Sequence, residues 1–396
     1  MTIESRSKGF TTIPYGKLGI IALPGCEEMA EKIDKYIVKW RLESEDEHKS
    51  SISFDGYFKD SYIVDVSLPR FGTGEGKAVI DQSVRGYDIF VLADVFNYGV
   101  TYEMYGHTVP MSPDEHFANL KRIIAAIGGK AHRITVIMPM LYEGRQHKRS
   151  SRESLDCAIA LQELCSLMGV DNVLTFDAHD PRVQNAIPLR GFENVSSGYQ
   201  IIKSLLNTVE NLKIDSKSLM VISPDEGGMG RGIYYATVLG VELGMFYKRR
   251  DYSKIVNGRN PILAHEYLGA EVEGKDVLVI DDMISSGESI LEVAGKLKDL
   301  KAKRIFLCVS FGLFCNGLEM FDNAYKDGIF HKVFTTNLVY RSPELKQREW
   351  FVEVEMSKYI SYIIDALNHD SSVSKLLSPS ERINALLERK GLKQKS

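Results

Sequence analysis

The chain has 396 residues, with 49 Lys and Arg against 53 Asp and Glu and a formal net charge of −4. At about 150 residues per domain that length suits two domains. A chain 44% apolar and 26% charged can bury a large core, which excludes wholesale disorder. The near-neutral balance argues against a general nucleic-acid binder.

The opening MTIESRSKGF has no apolar core and no cleavage pattern, so no secretory signal is expected. The longest apolar runs, 134–142 and 305–314, fall far short of the ~20 residues of a membrane helix. Cys26, Cys157, Cys165, Cys308 and Cys315 form no CxxC pair, which suits reduced, mostly buried thiols in a cytoplasmic protein.

In chain order the pattern alternates strand and helix. A strand is expected at 87–93 (YDIFVLA) and a helix at 114–127, with Phe117, Leu120, Ile124 and Ile127 on one face and Gly128-Gly129 closing it. A strand follows at 134–138, a helix at 153–168 and a strand at 173–176. The second half repeats the rhythm: strand 219–223, helix 229–239, strand 277–280, helix 289–300, strand 305–310. Short apolar strands between amphipathic helices imply parallel sheets covered on both faces. No strict internal sequence repeat is visible. Segments 43–51, 97–113 and 251–269 read as loops. The tail 378–396 opens with Ser378-Pro379-Ser380-Glu381, a capping box, with Ile383, Leu386 and Leu387 as an apolar stripe and Gly391 as a stop.

The strongest chemical signal is VLVIDDMISSGESI at 277–290. An apolar strand runs into Asp281-Asp282, then into the small-residue turn Ser285-Ser286-Gly287-Glu288-Ser289, then into a helix. At a parallel strand end such a turn can wrap backbone N–H groups and hydroxyls around a phosphate. The adjacent carboxylates suit ribose hydroxyls or a Mg²⁺-bound sugar phosphate. Before it in the chain stand FGTGE at 71–75, YEGRQHKR at 142–149, TFDAHDPRVQNAIP at 175–188, SPDEGG at 223–228 and YKRR at 247–250.

The run at 277–290 resembles the phosphoribosyl pyrophosphate (PRPP) motif. Together, and in their order along the chain, the motifs resemble those of the ribose-phosphate pyrophosphokinase family over roughly Gly19 to Leu377. That resemblance implies an α/β fold of two similar phosphoribosyltransferase-type domains with mostly parallel sheets and the active site between them. The expected bounds are 15–188 for the ATP side, 189–350 for the ribose 5-phosphate side and 351–396 for a C-terminal helical segment and tail.

The implied reaction is transfer of pyrophosphate from ATP to the anomeric hydroxyl of ribose 5-phosphate, giving PRPP and AMP with Mg²⁺. The resemblance makes Phe71, Thr73, Glu75, Arg145 and Gln146 nucleotide contacts. It makes Asp225, Asp281, Asp282, Ser285, Ser286, Gly287 and Ser289 the ribose 5-phosphate site. His179 and Asp225 are implied metal ligands, and Lys248 and Arg250 catalytic cations opening a candidate lid at 251–269. The family's FGTGE-like loop serves a neighbouring subunit, so a homo-oligomer is implied, with no nucleic-acid or membrane partner.

Four positions depart from the family pattern: Thr73 for Asp or Asn, His147 for an acid, Ser285 for an acid common in one branch, and Glu288 for glycine. Thr73, His147 and Glu288 leave a catalytically weak regulatory subunit as an alternative. The PRPP motif alone also suits a nucleobase phosphoribosyltransferase, which consumes PRPP.

Overall fold

The computed structural model describes residues 12–43, 56–149, 151–250, 262–377 and 379–392, without the side chains of 248–250, 262–265, 375 and 377. Two compact units divide the chain. The first runs to Ser196 and adds Leu338–Tyr340 and Glu355–Ser378. The second holds Ser197–Asn337, Arg341–Val354 and the chain from Pro379 onward.

In the first unit the order is β1 (Lys17–Ala22), α1 (Glu27–Glu43), β2 (Val66–Ser67), β3 (Val79–Ile80), β4 (Tyr87–Leu92), β5 (Thr101–Met104), β6 (His107–Pro110), α2 (Pro113–Ile127), β7 (Arg133–Ile137), α3 (Asp156–Gln162), β8 (Asn172–Phe176) and β9 (Gly191–Val195). Five strands form one sheet, ordered β1-β4-β7-β8-β9 and parallel throughout. Helix α2 begins with a complete capping box, Ser112 with Glu115, and ends on Gly128 in the left-handed region. Phe117, Leu120, Ile124 and Ile127 are buried as the 3.6-residue spacing requires.

In the second unit come α4 (Gly198–Thr208), β10 (Leu219–Ser223), α5 (Met229–Leu239), β11 (Glu242–Arg250), β12 (Ile262–Leu268), β13 (Asp276–Ile284), α6 (Glu288–Asp299), β14 (Arg304–Gly312), α7 (Glu319–Lys326), β15 (Lys332–Thr336), α8 (Pro343–Lys346) and β16 (Phe351–Val354). The seven-stranded sheet is ordered β12-β11-β10-β13-β14-β15-β16, parallel except at the β11–β12 pair. After it, α9 (Ser357–Asn368) and α10 (Ser374–Leu377) return to the first unit, and α11 (Ser380–Arg389) to the second.

The two units share a device, an Asp–Arg fork set in a Gly-x-Asp strand start and an Ala-x-Arg-Ile strand start in each. In the first, Asp88 at the start of β4 is fully buried and takes Arg133 of β7 in a fork, at 2.9 and 2.7 Å. In the second, Asp276 at the start of β13 takes Arg304 of β14 at 2.9 and 2.6 Å. Each pair sits directly opposite in register. Bidentate geometry satisfies both carboxylate oxygens, which a buried acid needs.

Several expectations change. The chain passes between units after Ser196, and 351–396 is not a body of its own. Strand β16 completes one sheet, α9 is buried on nearly every face, and α11 sinks Ile383, Leu386 and Leu387. That last helix starts one residue past the expected cap, with Pro379 at its N-cap and no side-chain cap bond. The helix expected at 153–168 starts at Asp156 and finishes as a π-helical turn, Glu163–Leu167. Segment 97–113 contains the β5–β6 hairpin. Residues 262–268 are strand β12 rather than loop, while 251–261 and most of 43–51 lie outside the described residues.

Candidate active site

In the second unit the PRPP-type run lies at the C-terminal edge of the sheet. Strand β13 does not end at Ile280. It runs to Ile284, because pairing with β14 continues through Asp281↔Val309 to Ile284↔Gly312. On its other side, pairing with β10 stops at Ile222↔Val279. Asp281 and Asp282 therefore extend beyond β10, where an open parallel sheet binds ligands.

Asp282 is buried at 4% exposure, and its N–H donates to Asp281 Oδ1 at 2.8 Å. Burial, then the neighbouring Asp282 charge, push the Asp281 carboxyl well above the usual carboxylate range. Arg231, in the first turn of α5, approaches both acids, at 3.6 Å to Asp281 and 3.9 Å to Asp282.

Ser285 and Ser286 are half-buried and lead to Gly287, the N-cap of α6. Gly287 has φ +96°, and a Cβ there would stand 2.3 Å from the ring of Phe321. That ring is held by Trp350, stacked at 5.5 Å, and by Phe314 and Phe330. Only glycine fits. No side chain caps α6, so the N–H groups of its first turn lack an intrahelical partner, with Ser289 exposed among them. Glu288 is exposed and accepts from Asn316 Nδ2 at 3.4 Å.

Asp225 sits in the turn after β10. Its Oδ1 accepts from Gly228 N–H at 3.2 Å, and its carbonyl accepts from Ser223 Oγ at 2.7 Å. A Cβ on Gly228 would lie 2.8 Å from Ser223 Oγ and 3.7 Å from the Ile280 carbonyl, so the turn lies against β13. The structure thus gathers Asp225, Asp281, Asp282 and the 285–289 turn on adjacent strand ends. The backbones of Lys248 and Arg250 lie at the end of β11, paired with His265 and Ile262; their side chains lie outside the described residues.

In the first unit, Arg145 and Gln146 are exposed on a turn beyond β7. Tyr142 anchors that turn: its ring stacks on Phe117 at 4.3 Å and its hydroxyl donates to Asp114 at 2.7 Å. His179 is exposed beyond β8. The turn carrying it leaves the strand through Asp177 at φ +37°, a strained value for a non-glycine residue. Asp177 N–H donates to Val195 O at 2.9 Å and Ala178 N–H to Asn194 Oδ1 at 3.0 Å.

His147 joins the two turns. Its Nε2 is 3.5 Å from Asp180, and its ring meets His179 edge-on at 5.3 Å. The departure to histidine here is matched by an acid across the gap. Arg182 hydrogen bonds hold Asp180 down at about 2, so it stays ionised, while burial keeps His147 below the ordinary histidine range.

Phe71, Thr73 and Glu75 sit on a different loop. Phe71 is 58% exposed, and its N–H donates to Glu75 O at 2.9 Å, closing the turn. Thr73 Oγ1 donates to Glu75 Oε2 at 2.9 Å. Arg70 braces the loop from below, donating to Gly74 O at 2.8 Å and lying over the Tyr102 ring at 4.6 Å.

Sequence reading missed Arg231. Its signal is a cation in the first turn of a helix, where the macrodipole favours an anion. It also missed the brace under FGTGE.

Among the described residues no three His, Cys, Asp or Glu side chains gather as a metal site. Mg²⁺ takes one or two protein ligands and completes its shell with water and substrate phosphates. Exposed His179 and half-buried Asp225 are donors of that kind. All five cysteines are unpaired, and only Cys315 is exposed. No helix among the described residues is long and apolar enough to cross a membrane.

Residues 18–168 match the family model for the N-terminal domain of ribose phosphate pyrophosphokinase, and 192–346 that for the phosphoribosyl transferase domain. The chain is 30% identical over 270 residues to a ribose-phosphate pyrophosphokinase of Thermotoga maritima, covering 67% of this chain and 77% of that one. It is 26% identical over 317 residues to the one of Vibrio parahaemolyticus, covering 79% and 91%. In fold it is similar to phosphoribosylpyrophosphate synthetase from Mycobacterium smegmatis, with a TM-score of 0.68 at 20% identity over 90% of this chain and 100% of that one. With two α/β units, mostly parallel sheets and both domain models matched in order, the chain belongs to the ribose-phosphate pyrophosphokinase family of enzymes.

Proposed function

We propose that this chain transfers the β,γ-diphosphoryl group of ATP to ribose 5-phosphate, giving PRPP and AMP. The observation that supports the reading is the uncapped start of α6 beside the paired acids Asp281 and Asp282, in a chain whose first unit carries Arg145 and Gln146 on the turn whose His147 meets His179. A nucleobase phosphoribosyltransferase has no use for the latter group.

The roles follow from chemistry. The anomeric hydroxyl gives up its proton to solvent as its oxygen bonds to the β-phosphorus, the bond from that phosphorus to the α,β-bridging oxygen breaks, and AMP departs with the electron pair. Such transfer needs positioning and charge neutralisation more than covalent help. Ser286, Gly287, Ser289 and the open start of α6 hold the 5-phosphate, with Ser285 leading into the cradle. Asp281 and Asp282 accept from the ribose hydroxyls, and Arg231 offsets their charge. Arg145 donates to the nucleotide phosphates and Gln146 contacts the nucleotide. Lys248 and Arg250 neutralise charge on the transferred group and on AMP. His179 in the first unit and Asp225 in the second are each residues that would hold Mg²⁺, which would supply charge neutralisation on the phosphates.

Phe71, Thr73 and Glu75 serve the nucleobase, and the exposure of Phe71 suits service to a neighbouring subunit in a homo-oligomer. Sedimentation of a fully active monomer would remove that arrangement.

The test is a product assay with Mg-ATP and ribose 5-phosphate, following AMP and PRPP, with Lys248→Ala as control. Equal AMP and PRPP are expected, with turnover at least ~10²-fold lower in the variant, the scale of one lost charge stabiliser. ATP binding without product would favour the regulatory-subunit alternative.

A further inference from the structure

The β5–β6 hairpin turns on two residues, Tyr105 and Gly106, with φ +49° and +78°. Two positive φ values in a two-residue hairpin favour Asn-Gly or Asp-Gly, because those side chains tolerate the left-handed region. A bulky aromatic at the first position is strained. No packing explains the choice: the Tyr105 side chain is 73% exposed and, among the described residues, stacks on no other ring. Strain kept at an exposed ring points to a use for that ring.

The neighbourhood says which use. Tyr105 N–H donates to the carbonyl of Gly72 at 2.9 Å, so the hairpin tip is bonded to the turn that presents Phe71. Below, Met104 fills the space a side chain at Gly74 would need, with Sδ 2.8 Å from its Cβ position. Tyr102 lies under Arg70, and its hydroxyl donates to Glu115, the residue that also closes the capping box of α2. Loop and hairpin are one braced piece, and it presents two exposed aromatic rings from adjoining turns.

We propose that Tyr105 is a second aromatic contact for the nucleobase of the diphosphoryl donor, acting beside Phe71. The inference rests on the reading above that the FGTGE loop meets the nucleotide. A base offers a flat face to any well-placed ring, and one such stack is worth about tenfold in affinity.

The test is a calorimetric titration of wild type, Tyr105→Asn and Tyr105→Phe with Mg-ATP, without ribose 5-phosphate so that nothing turns over. Asparagine removes the ring yet suits the turn, so its Tm should equal or exceed that of wild type. We expect a Kd about tenfold weaker for Tyr105→Asn, within twofold of wild type for Tyr105→Phe, and unchanged assembly by sedimentation velocity. A wild-type Kd in Tyr105→Asn overturns the proposal. So does a weakened Kd that comes with loss of assembly, which would make Tyr105 a subunit contact. If the asparagine variant does not fold, Tyr105→Gly, which the positive φ also favours, carries the same expectation.

A parallel product assay separates the two levels. Wild type that binds ATP, loses that binding with Tyr105→Asn and yet makes no PRPP refutes the pyrophosphokinase reading and leaves this inference standing. Wild type that makes PRPP with the same KM for ATP in the variant does the reverse.

Discussion

Two glycines mark how differently the 285–289 turn and the FGTGE loop are built. Gly287, at φ +96°, has a rigid neighbour: the Phe321 ring, 2.3 Å from where a Cβ would lie and wedged among Trp350, Phe314 and Phe330. Gly74, at φ +93°, is as strained in backbone, but its neighbour is the thioether of Met104, a flexible chain on a hairpin. The 285–289 turn is thus cast against the core of its own unit. The FGTGE loop is braced from outside by the β5–β6 hairpin. A loop set on core packing resists change, and a loop set on a brace can be retuned by altering the brace.

The largest effect that would break this comparison is at Gly287. Gly287→Ala meets both positive φ and an immovable ring, so a loss of about 2–4 kcal/mol in stability is expected. Turnover should fall at least ~10²-fold as the cradle shifts. Denaturant melts and turnover on one preparation check it, and a variant within ~1 kcal/mol of wild type would show that Phe321 gives way.

Next is the acid pair beside that cradle. Burial and Asp282 raise the proton affinity of Asp281 in the folded chain, so above the ordinary carboxylate range the native state keeps a proton the unfolded chain has released. Its unfavourable effect is absent at low pH and grows as pH climbs. Asp281→Asn abolishes it, so in substrate-free, metal-free protein the variant should gain on wild type with rising pH. Thermal melts at pH 5, 7 and 9 should show the gap widen by about 2–4 °C for each ~1 kcal/mol. A gap independent of pH would mean that Arg231 already compensates the pair.

The smallest effect is at Gly74. Gly74→Ala pays the backbone strain, about 1 kcal/mol, but Met104 can swing aside. The KM for ATP should rise a few-fold, and Met104→Ala in the same chain should recover part of it.

The same contrast explains what the sequence made legible. Strand β10 and helix α5 fall at their expected bounds, since continuous apolar runs and a closing glycine state themselves locally. The PRPP-type turn is legible for the same reason: acids, small residues and glycine stand in one run of 14 residues, 277–290. The hairpin was not, because Tyr105-Gly106 lacks the Asn or Asp that announces such a turn. Asp281-Asp282 read as a strand end, yet the ladder to β14 carries both acids inside the strand. His147 joins Asp180 across 33 positions of sequence, and Asp88 joins Arg133 across 45, separations that no local pattern encodes. The two units repeat an Asp–Arg fork inside a short matched pattern, Gly-x-Asp at 86–88 and 274–276 with Ala-x-Arg-Ile at 131–134 and 302–305, which becomes visible only once the two strand pairs are laid side by side.

The most direct test of the account is a pair of KM values measured on the same preparations. The central claim is that the first unit's FGTGE loop takes the nucleotide and the second unit's 285–289 turn takes ribose 5-phosphate. We expect Gly74→Ala to raise the KM for ATP and leave that for ribose 5-phosphate within twofold. Residual activity in Gly287→Ala should show the opposite split, with the ribose 5-phosphate KM raised at least ~10-fold. Variants that move both constants together, or that move the wrong one, would contradict the division.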